Sequence, residues 1–318
     1  MQTLVDQKPV VVVGSINADL VARVTRIPRP GETLLGAHFE TIPGGKGANQ
    51  AVAVGRLGYP VAMIGKLGSD AFAPVLRKSL EDAGVDTEAV ENVEGASGVA
   101  LIEVSDRGEN SIVVVPGANA ALLPADLDHH RSLIAAAGMV LAQLEIPIES
   151  ILRLAEICRE ESVPLMLDPA PARELPPELL DAVSWFTPNE TEAAFFTGLP
   201  AEEPAEMQRA VLFAKGIKGL VLKQGSRGAT LAQKDGASVA LPPFKVDAVD
   251  TTAAGDAFNG AFATALMLGQ KPADAARFAV AASAISVTRP GAQPSMASMT
   301  DVMELLGSAA QSLCIQAR

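Results

Sequence analysis

Aromatic side chains are scarce here: they make up 4% of 318 residues, with a single tryptophan and a single tyrosine. Since 48% of the chain is hydrophobic, its interior has to be aliphatic and small-residue packing. Cysteine is nearly absent as well. Cys158 and Cys314 form neither a disulfide framework nor a metal-ligand spacing, and a reducing cytoplasm is the expected setting. The three histidines, His38, His129 and His130, make no catalytic pattern, and the adjacent pair reads as solvated surface. Positive charge is in deficit. A net charge of −12 argues against nucleic acid or an anionic membrane as partner, so an anionic ligand would need a local device to hold it. No apolar run is long enough to span a bilayer, and no basic-apolar-small leader opens the chain. The length permits two domains, although large α/β folds of this size often form one, and a single domain over 1–318 is expected.

What the chain does contain is a βα rhythm with two interruptions. Four consecutive valines, Val10 to Val13, read as a fully buried strand ending in Gly14-Ser15-Ile16-Asn17-Ala18-Asp19. Residues 20–42 then look like an antiparallel excursion, and Val99 to Ser105 with Ser111 to Val115 like a hairpin around Asp106-Arg107-Gly108. Together, 17–43 and 95–117 could make a small separate sheet. From Met139 onward strands and helices alternate regularly, which predicts a mainly parallel sheet covered by helices on both faces. In such folds ligands bind beyond the carboxyl ends of the strands. Those ends carry Asn17 and Asp19, Glu145, Asp168, Asn189 and Glu192, Lys223 to Gly228, and Asp250 to Asp256.

Two glycine-rich turns stand on that edge. Pro43-Gly44-Gly45-Lys46-Gly47-Ala48-Asn49-Gln50 leads into a helix of small residues. It lacks the P-loop spacing, yet its glycines let backbone approach a ligand while Lys46 and Asn49 can donate hydrogen bonds. A tight turn into a closely packed helix is the competing reading. In the second turn, Ala253, Ala254 and Gly255 precede Asp256. Phe258, Ala261, Phe262, Ala265 and Leu266 then mark one apolar helical face. A bare helix N-terminus suits phosphate, and a carboxylate beside it is placed to take a proton from an attacking hydroxyl. Alternatively, Asp256 simply caps the helix. Local pattern does not separate the two.

The sequence resembles the ribokinase-like (PfkB) sugar kinases along nearly its whole length. Two signatures carry this, PGGKGANQAVAVGRLG at 43–58 and DTTAAGDAFNGAF at 250–262. GSINAD at 14–19, AQLEIP at 142–147, DPAPARELP at 168–176, TPNETEA at 187–193 and GAQPS at 291–295 support it. The resemblance implies a three-layer α/β/α, doubly wound fold with a small antiparallel β-sheet lid. It also implies transfer of the γ-phosphoryl group of ATP to the O5 hydroxyl of D-ribose. By motif position, Asn17, Asp19, Gly44, Gly45, Lys46, Gly47, Asn49 and Glu145 would hold the sugar. Asp256 would be the base, with an anion hole from Ala253, Ala254 and Gly255. Asn189 and Glu192 would act on Mg2+ and phosphate. The nucleotide would lie against Lys223, Gln224, Gly225, Ser226, Arg227, Gly228, Gly255 and Val280. A K+ ion would sit among Asp250, Thr252, Ser286, Arg289, Gly291 and Ser295, mostly on backbone carbonyls. A homodimer through the lid is implied too.

Lys223-Gln224 departs from the family, which usually carries a small hydroxyl residue and an aliphatic one there. Thr252 is a milder departure in the ion loop. Three other functions are weighed. A sister kinase would act on 2-deoxyribose, another pentose or a nucleoside. A non-catalytic sugar-binding protein would be signalled by loss of Asp256 or its glycine turn, and both are intact. A nicotinamide-dependent oxidoreductase is disfavoured because no G-x-G-x-x-G follows the valine strand.

Overall fold

The computed structural model describes residues 7–316, with side chains through residue 307, so Cys314 lies outside the described side chains. Its strands are β1 (Val10–Val13), β2 (Asn17–Val24), β3 (His38–Gly44), β4 (Val61–Leu67), β5 (Val85–Asp86), β6 (Val90–Asn92), β7 (Gly98–Ser105), β8 (Asn110–Val115), β9 (Met139–Ala142), β10 (Leu165–Leu167), β11 (Trp185–Phe186), β12 (Gly219–Lys223), β13 (Ala229–Gln233) and β14 (Val239–Leu241). Its helices are α1 (Lys46–Arg56), α2 (Ala73–Asp82), α3 (Pro124–His129), α4 (Arg131–Ala136), α5 (Ile148–Glu160), α6 (Pro177–Ala182), α7 (Glu190–Thr197), α8 (Ala205–Ala214), α9 (Ala254–Met267), α10 (Pro272–Ser286) and α11 (Met299–Gln316).

The large sheet runs β14-β13-β12-β11-β10-β9-β1-β4-β5, with β6 also on β4. It is parallel from β12 to β5 and ends in the antiparallel pair β13–β14. The chain enters at the centre, winds outward through β4 and β5, and returns to β9 on the other side of β1. Strand order therefore reverses between β1 and β9, which opens a crevice beyond their carboxyl ends. The four valines explain why β1 can be central. Val10 and Val12 pack into one core with α1, α9 and α10, while Val11 and Val13 pack into the opposite core with α5. Alternation of side chains across a strand feeds both layers from one short segment.

The small sheet has the order β3-β2-β7-β8 and needs one correction to the expectation. β2 pairs antiparallel with β3, but it pairs in parallel with β7, from Asn17 opposite Gly98 to Val24 opposite Ser105. The lid is thus mixed, because two hairpin-like units are laid side by side in the same direction rather than continued as one meander. His129 is exposed as expected, whereas His130 is half-buried against Glu91 at 3.1 Å. Among the described residues, no helix is long and apolar enough to cross a membrane.

α1 and α9 lie against each other at Gly260. A Cβ added there would stand 2.6 Å from Ala53 Cβ and 2.9 Å from Gln50 O, both inside contact distance. Gly260→Ala is therefore expected to destabilise the fold by about 1–3 kcal/mol, read as a lower midpoint in thermal or urea unfolding. Gly307→Ala in α11, where an added Cβ meets nothing within 4 Å, is the control and should be neutral or stabilising. Equal behaviour of the two variants would show that the α1–α9 contact tolerates a wider spacing.

Candidate active site

The crevice is filled from three strand ends and two helix starts. β1 delivers Ser15, β9 delivers Gln143 and Glu145, and β10 delivers Asp168; α1 and α9 bring Lys46, Asn49, Gln50 and Asp256. Asp256 does not cap α9. The position before the helix is Ala253, in the left-handed conformation at φ 57°, and no side chain caps it. For a residue with a Cβ that conformation costs roughly 1 kcal/mol or more. It starts the helix abruptly beside the cleft, which Ala253, Ala254 and Gly255 line; the Ala254 N–H donates to Thr251 O at 3.3 Å.

Asp256 is buried, and both its oxygens are held from α1. Asn49 Nδ2 donates to Oδ2 at 3.0 Å and Gln50 Nε2 to Oδ1 at 3.0 Å. Gln50 Nε2 also reaches Asp168 Oδ2 at 3.0 Å, and Gln143 Nε2 holds Gln50 Oε1 at 2.8 Å. Because Nδ2 of Asn49 faces a carboxylate, its Oδ1 is an acceptor, and it has no protein partner among the described residues. Burial pushes Asp256 up to about 6, against the lowering influence of the Lys46 cation and with Asp168 adding to the rise. For Lys46, burial alone would lower the ammonium; the charges of Asp256, Asp168, Glu145 and Glu192 outweigh it and hold the group above its ordinary value.

Beyond Asp256 lies the second group of expected residues. Ser15 Oγ donates to Glu145 Oε2 at 2.6 Å, and the same oxygen accepts the Lys46 backbone N–H at 3.3 Å. Asn17 Oδ1 accepts from Asn119 Nδ2 at 2.7 Å, which orients the Asn17 amide with Nδ2 at the opposite end. The Asp19 carboxylate lies so close to Gly44 that an added Cβ there would be 2.1 Å from Oδ2. Gly45, at φ 88°, passes within 2.6 Å of Asn17 N when given a Cβ, so only glycine closes this turn. Burial raises Asp19 to about 7, and the negative charges of Glu145 and Asp256 reinforce the shift.

On the other side of Asp256 is a cleft of about 890 Å³. Lys46, Asn189, Glu192, Lys223, Gly225, Ser226, Gly228, Gly255 and Val280 line it, as do Ala253, Ala254 and Asp256 itself. Gln224 and Arg227 do not line it. Gln224 Oε1 accepts from Thr230, and Arg227 pairs with Glu190, so these side chains are committed outside the cleft. Glu192 is not an exposed first-turn carboxylate. It is buried in a reciprocal cap with Asn189, whose backbone N–H donates to Oε2 at 2.7 Å. Burial and the neighbouring Asp168 raise it, partly offset by Lys223.

The 250 loop is tied to the 291 loop. Asp250 accepts from Thr252 N and Gly291 N, both at 2.9 Å. Burial works against that carboxylate, but these donors hold it below the usual range. Ser286 Oγ and Ser295 Oγ donate to nearby carbonyls, and Arg289 pairs with Asp301. Sequence reasoning missed Ser15, Gln50, Asn119 and Gln143 as site residues, along with the wall at 243–248. It noted Asp168 only as a strand end. Gln50 sits inside the glycine motif and could have been found from it; Asn119 follows a hairpin with no local signal.

A site that joins polyol-matching groups to an anion-binding helix start through one buried carboxylate is a kinase arrangement, and residues 7–299 match the pfkB family carbohydrate kinase profile. The chain belongs to the pfkB family of carbohydrate kinases. It is 41% identical over 303 residues to a ribokinase of Haemophilus influenzae, covering 94% of this chain and 99% of that one. A deoxyribokinase of Salmonella typhi is 37% identical over 301 residues, with coverages of 93% and 98%. The structure of Arabidopsis thaliana ribokinase complexed with ribose and ATP is similar at TM-score 0.89 and 36% identity, covering 94% and 99% of the two chains.

If the buried Asp256 carboxylate is the base, as the sequence leads one to expect, Asp256→Asn keeps shape and packing while removing the proton-accepting oxygen. kcat should fall by roughly a thousandfold or more in a folded variant. In the unaltered enzyme, a carboxylate at Asp256 can take a proton only when ionised, protonation at Asp19 exchanges an acceptor for a donor, and burial has raised both groups. kcat/KM is accordingly expected to decline as pH drops below about 7, steepening below about 6. A profile that stays flat down to pH 5 would contradict this assignment.

Proposed function

We propose that this carbohydrate kinase transfers the γ-phosphoryl group of ATP to O5 of D-ribose, giving ribose 5-phosphate and ADP. The observation that carries the reading is the position of Asp256. It is clamped by Asn49 and Gln50 at the first turn of α9 and lines the cleft, and its charge is felt by Asp19 together with that of Glu145. Ribose presents hydroxyls that carboxylates and amides can match as acceptors and donors. Asn49 Oδ1 supplies a ready acceptor. Asp256 takes the O5 proton as O5 attacks the terminal phosphorus, and the N–H groups from Ala253 to Asp256 face the oxygens that gain charge. The whole chain acts as one catalytic unit, with 17–43 and 95–117 as its cover.

Two ions belong to this proposal. Asn189 and Glu192, which line the cleft, give it oxygen donors suited to Mg2+, which would neutralise charge on the phosphates when bound. For K+, the support is that Asp250 draws the turn before α9 and the Gly291 loop together, within a segment rich in backbone carbonyls. With the Ser286 and Ser295 hydroxyls and the Arg289 side chain engaged elsewhere, carbonyl oxygens are what that loop can offer. The decisive assay is ADP release against ribose, 2-deoxyribose, other pentoses, hexoses and nucleosides, run in potassium and in choline buffer. Ribose is expected to give the highest kcat/KM, with stimulation by potassium that Asp250→Ala abolishes. Preference for 2-deoxyribose would move the chain to the deoxyribokinase reading that its Salmonella typhi relative favours.

A homodimer through the small sheet is also proposed. Ile112, Val113, Val114 and Val115 are successive residues of β8, and each is 42–57% exposed. A strand with apolar residues bare on both faces is covered by another surface when stable in water. Val113→Lys should shift the sedimentation coefficient from dimer to monomer; an unaltered monomer in both proteins would remove this part of the proposal.

A further inference from the structure

Outside the cleft, Glu91, His129 and His130 form a cluster with metal-ligating side chains. The Glu91 carboxylate there is already engaged by the Lys66 ammonium at 2.5 Å, so a divalent ion would face a fixed cation. Inside the cleft one group is unexplained. It is the Lys223 ammonium, and a cation in such a site must be neutralised or used.

The structure shows what it touches. Lys223 ends β12, and its backbone N–H bonds Pro188 O at 2.9 Å, which sets its Cα beside Asn189 and Glu192. Its Nζ donates to Asp168 Oδ1 at 2.9 Å, with the two side chains only 12% and 3% exposed. The same Nζ would be 3.2 Å from a Cβ built on Gly255, so it lies directly over the first turn of α9. Lys46, also half-buried in the cleft, faces Asp256, Asp168, Glu145 and Glu192. Lys245 is exposed at the rim. With a net charge of −12 and a carboxylate-rich floor, the chain needs fixed positive charge where the terminal phosphate arrives.

We propose that Lys223 is a catalytic residue of the transfer step, its ammonium held by Asp168 against the Gly255 turn so that it contacts the equatorial oxygens of the phosphoryl group in flight. This deepens the kinase reading and rests on it. In the step, the O5–H proton passes to Asp256, a bond forms from O5 to the terminal phosphorus, and the bond from that phosphorus to the β–γ bridging oxygen breaks. ADP leaves with that electron pair. Lys223 stays protonated throughout and exchanges no proton; it balances charge that spreads over the three oxygens as the bond order to both ends falls. Asp168 is the positioning partner, and Gln50, shared between Asp168 and Asp256, ties the cation's mount to the base.

The alternative is a purely structural ion pair, in which Lys223 does nothing but neutralise Asp168. A buried pair of that kind can be replaced by neutral groups at little loss, whereas deleting one partner strands the other. The test is therefore a double-mutant set: Lys223→Met, Asp168→Asn and both together, assayed for ATP-dependent ribose phosphorylation and for thermal stability. The expected result is that Lys223→Met lowers kcat by about 100-fold with ribose KM little changed, and that the double variant regains stability but not kcat. Binding of β,γ-imido-ATP should weaken more than binding of ADP, since the contact is to the terminal phosphate. Should Lys223→Met fail to fold, the double variant is compared with Asp168→Asn alone, so that only the lysine differs, and equal kcat in those two would overturn the proposal. Recovery of wild-type kcat in the double variant would overturn the proposal and leave a structural pair. Absence of ATP-dependent sugar phosphorylation in the unaltered protein would instead overturn the kinase reading itself.

Discussion

Everything chemical in this molecule depends on the clasp between α1 and α9. Two adjacent amides, Asn49 and Gln50, each give one hydrogen bond to one oxygen of Asp256. Burying a carboxylate without such donors would drive it to the neutral form, in which it could accept no proton. The position before the helix is instead Ala253, in a strained conformation with no side-chain cap, and the carboxylate is left to face α1. The clasp in turn requires the helices to touch, and Gly260 is where they do. A packing requirement, a strained backbone and a proton acceptor are thus three parts of one arrangement.

The same arrangement explains how an acidic protein handles a polyanion. Its surface charge repels phosphate at long range, and attraction begins only inside the cleft, where helix N–H groups and lysines are fixed. Lys46 is surrounded by carboxylates that hold it charged, and Lys223 is held in place by Asp168.

Much of this was legible in the sequence, for identifiable reasons. The run Val10 to Val13 could only be a strand buried on both faces, and its place at the sheet centre follows. The glycine turns at 44–47 and 253–255 announced close backbone approach, and both stand at the crevice. What could not be read was partnership. Nothing in Asp256 says that Gln50, 206 residues earlier, will bond to it, nor that Lys223 will reach across 55 residues to Asp168. The parallel pairing of β2 with β7 was hidden likewise, since each strand looked like half of its own hairpin. Local pattern specifies elements; long-range geometry decides which side chain answers which.

The point of attachment of the small sheet has a consequence of its own. β2 begins at Asn17 and β3 ends at Gly44, so two residues proposed to hold the sugar are also the covalent pivots between β2–β3 and the body. Any rotation of that sheet relative to the large one displaces Asn17 and Gly44 themselves. Orientation of the cover and affinity for the acceptor are in that sense one thermodynamic variable measured in two ways, and by reciprocity whatever biases one must bias the other.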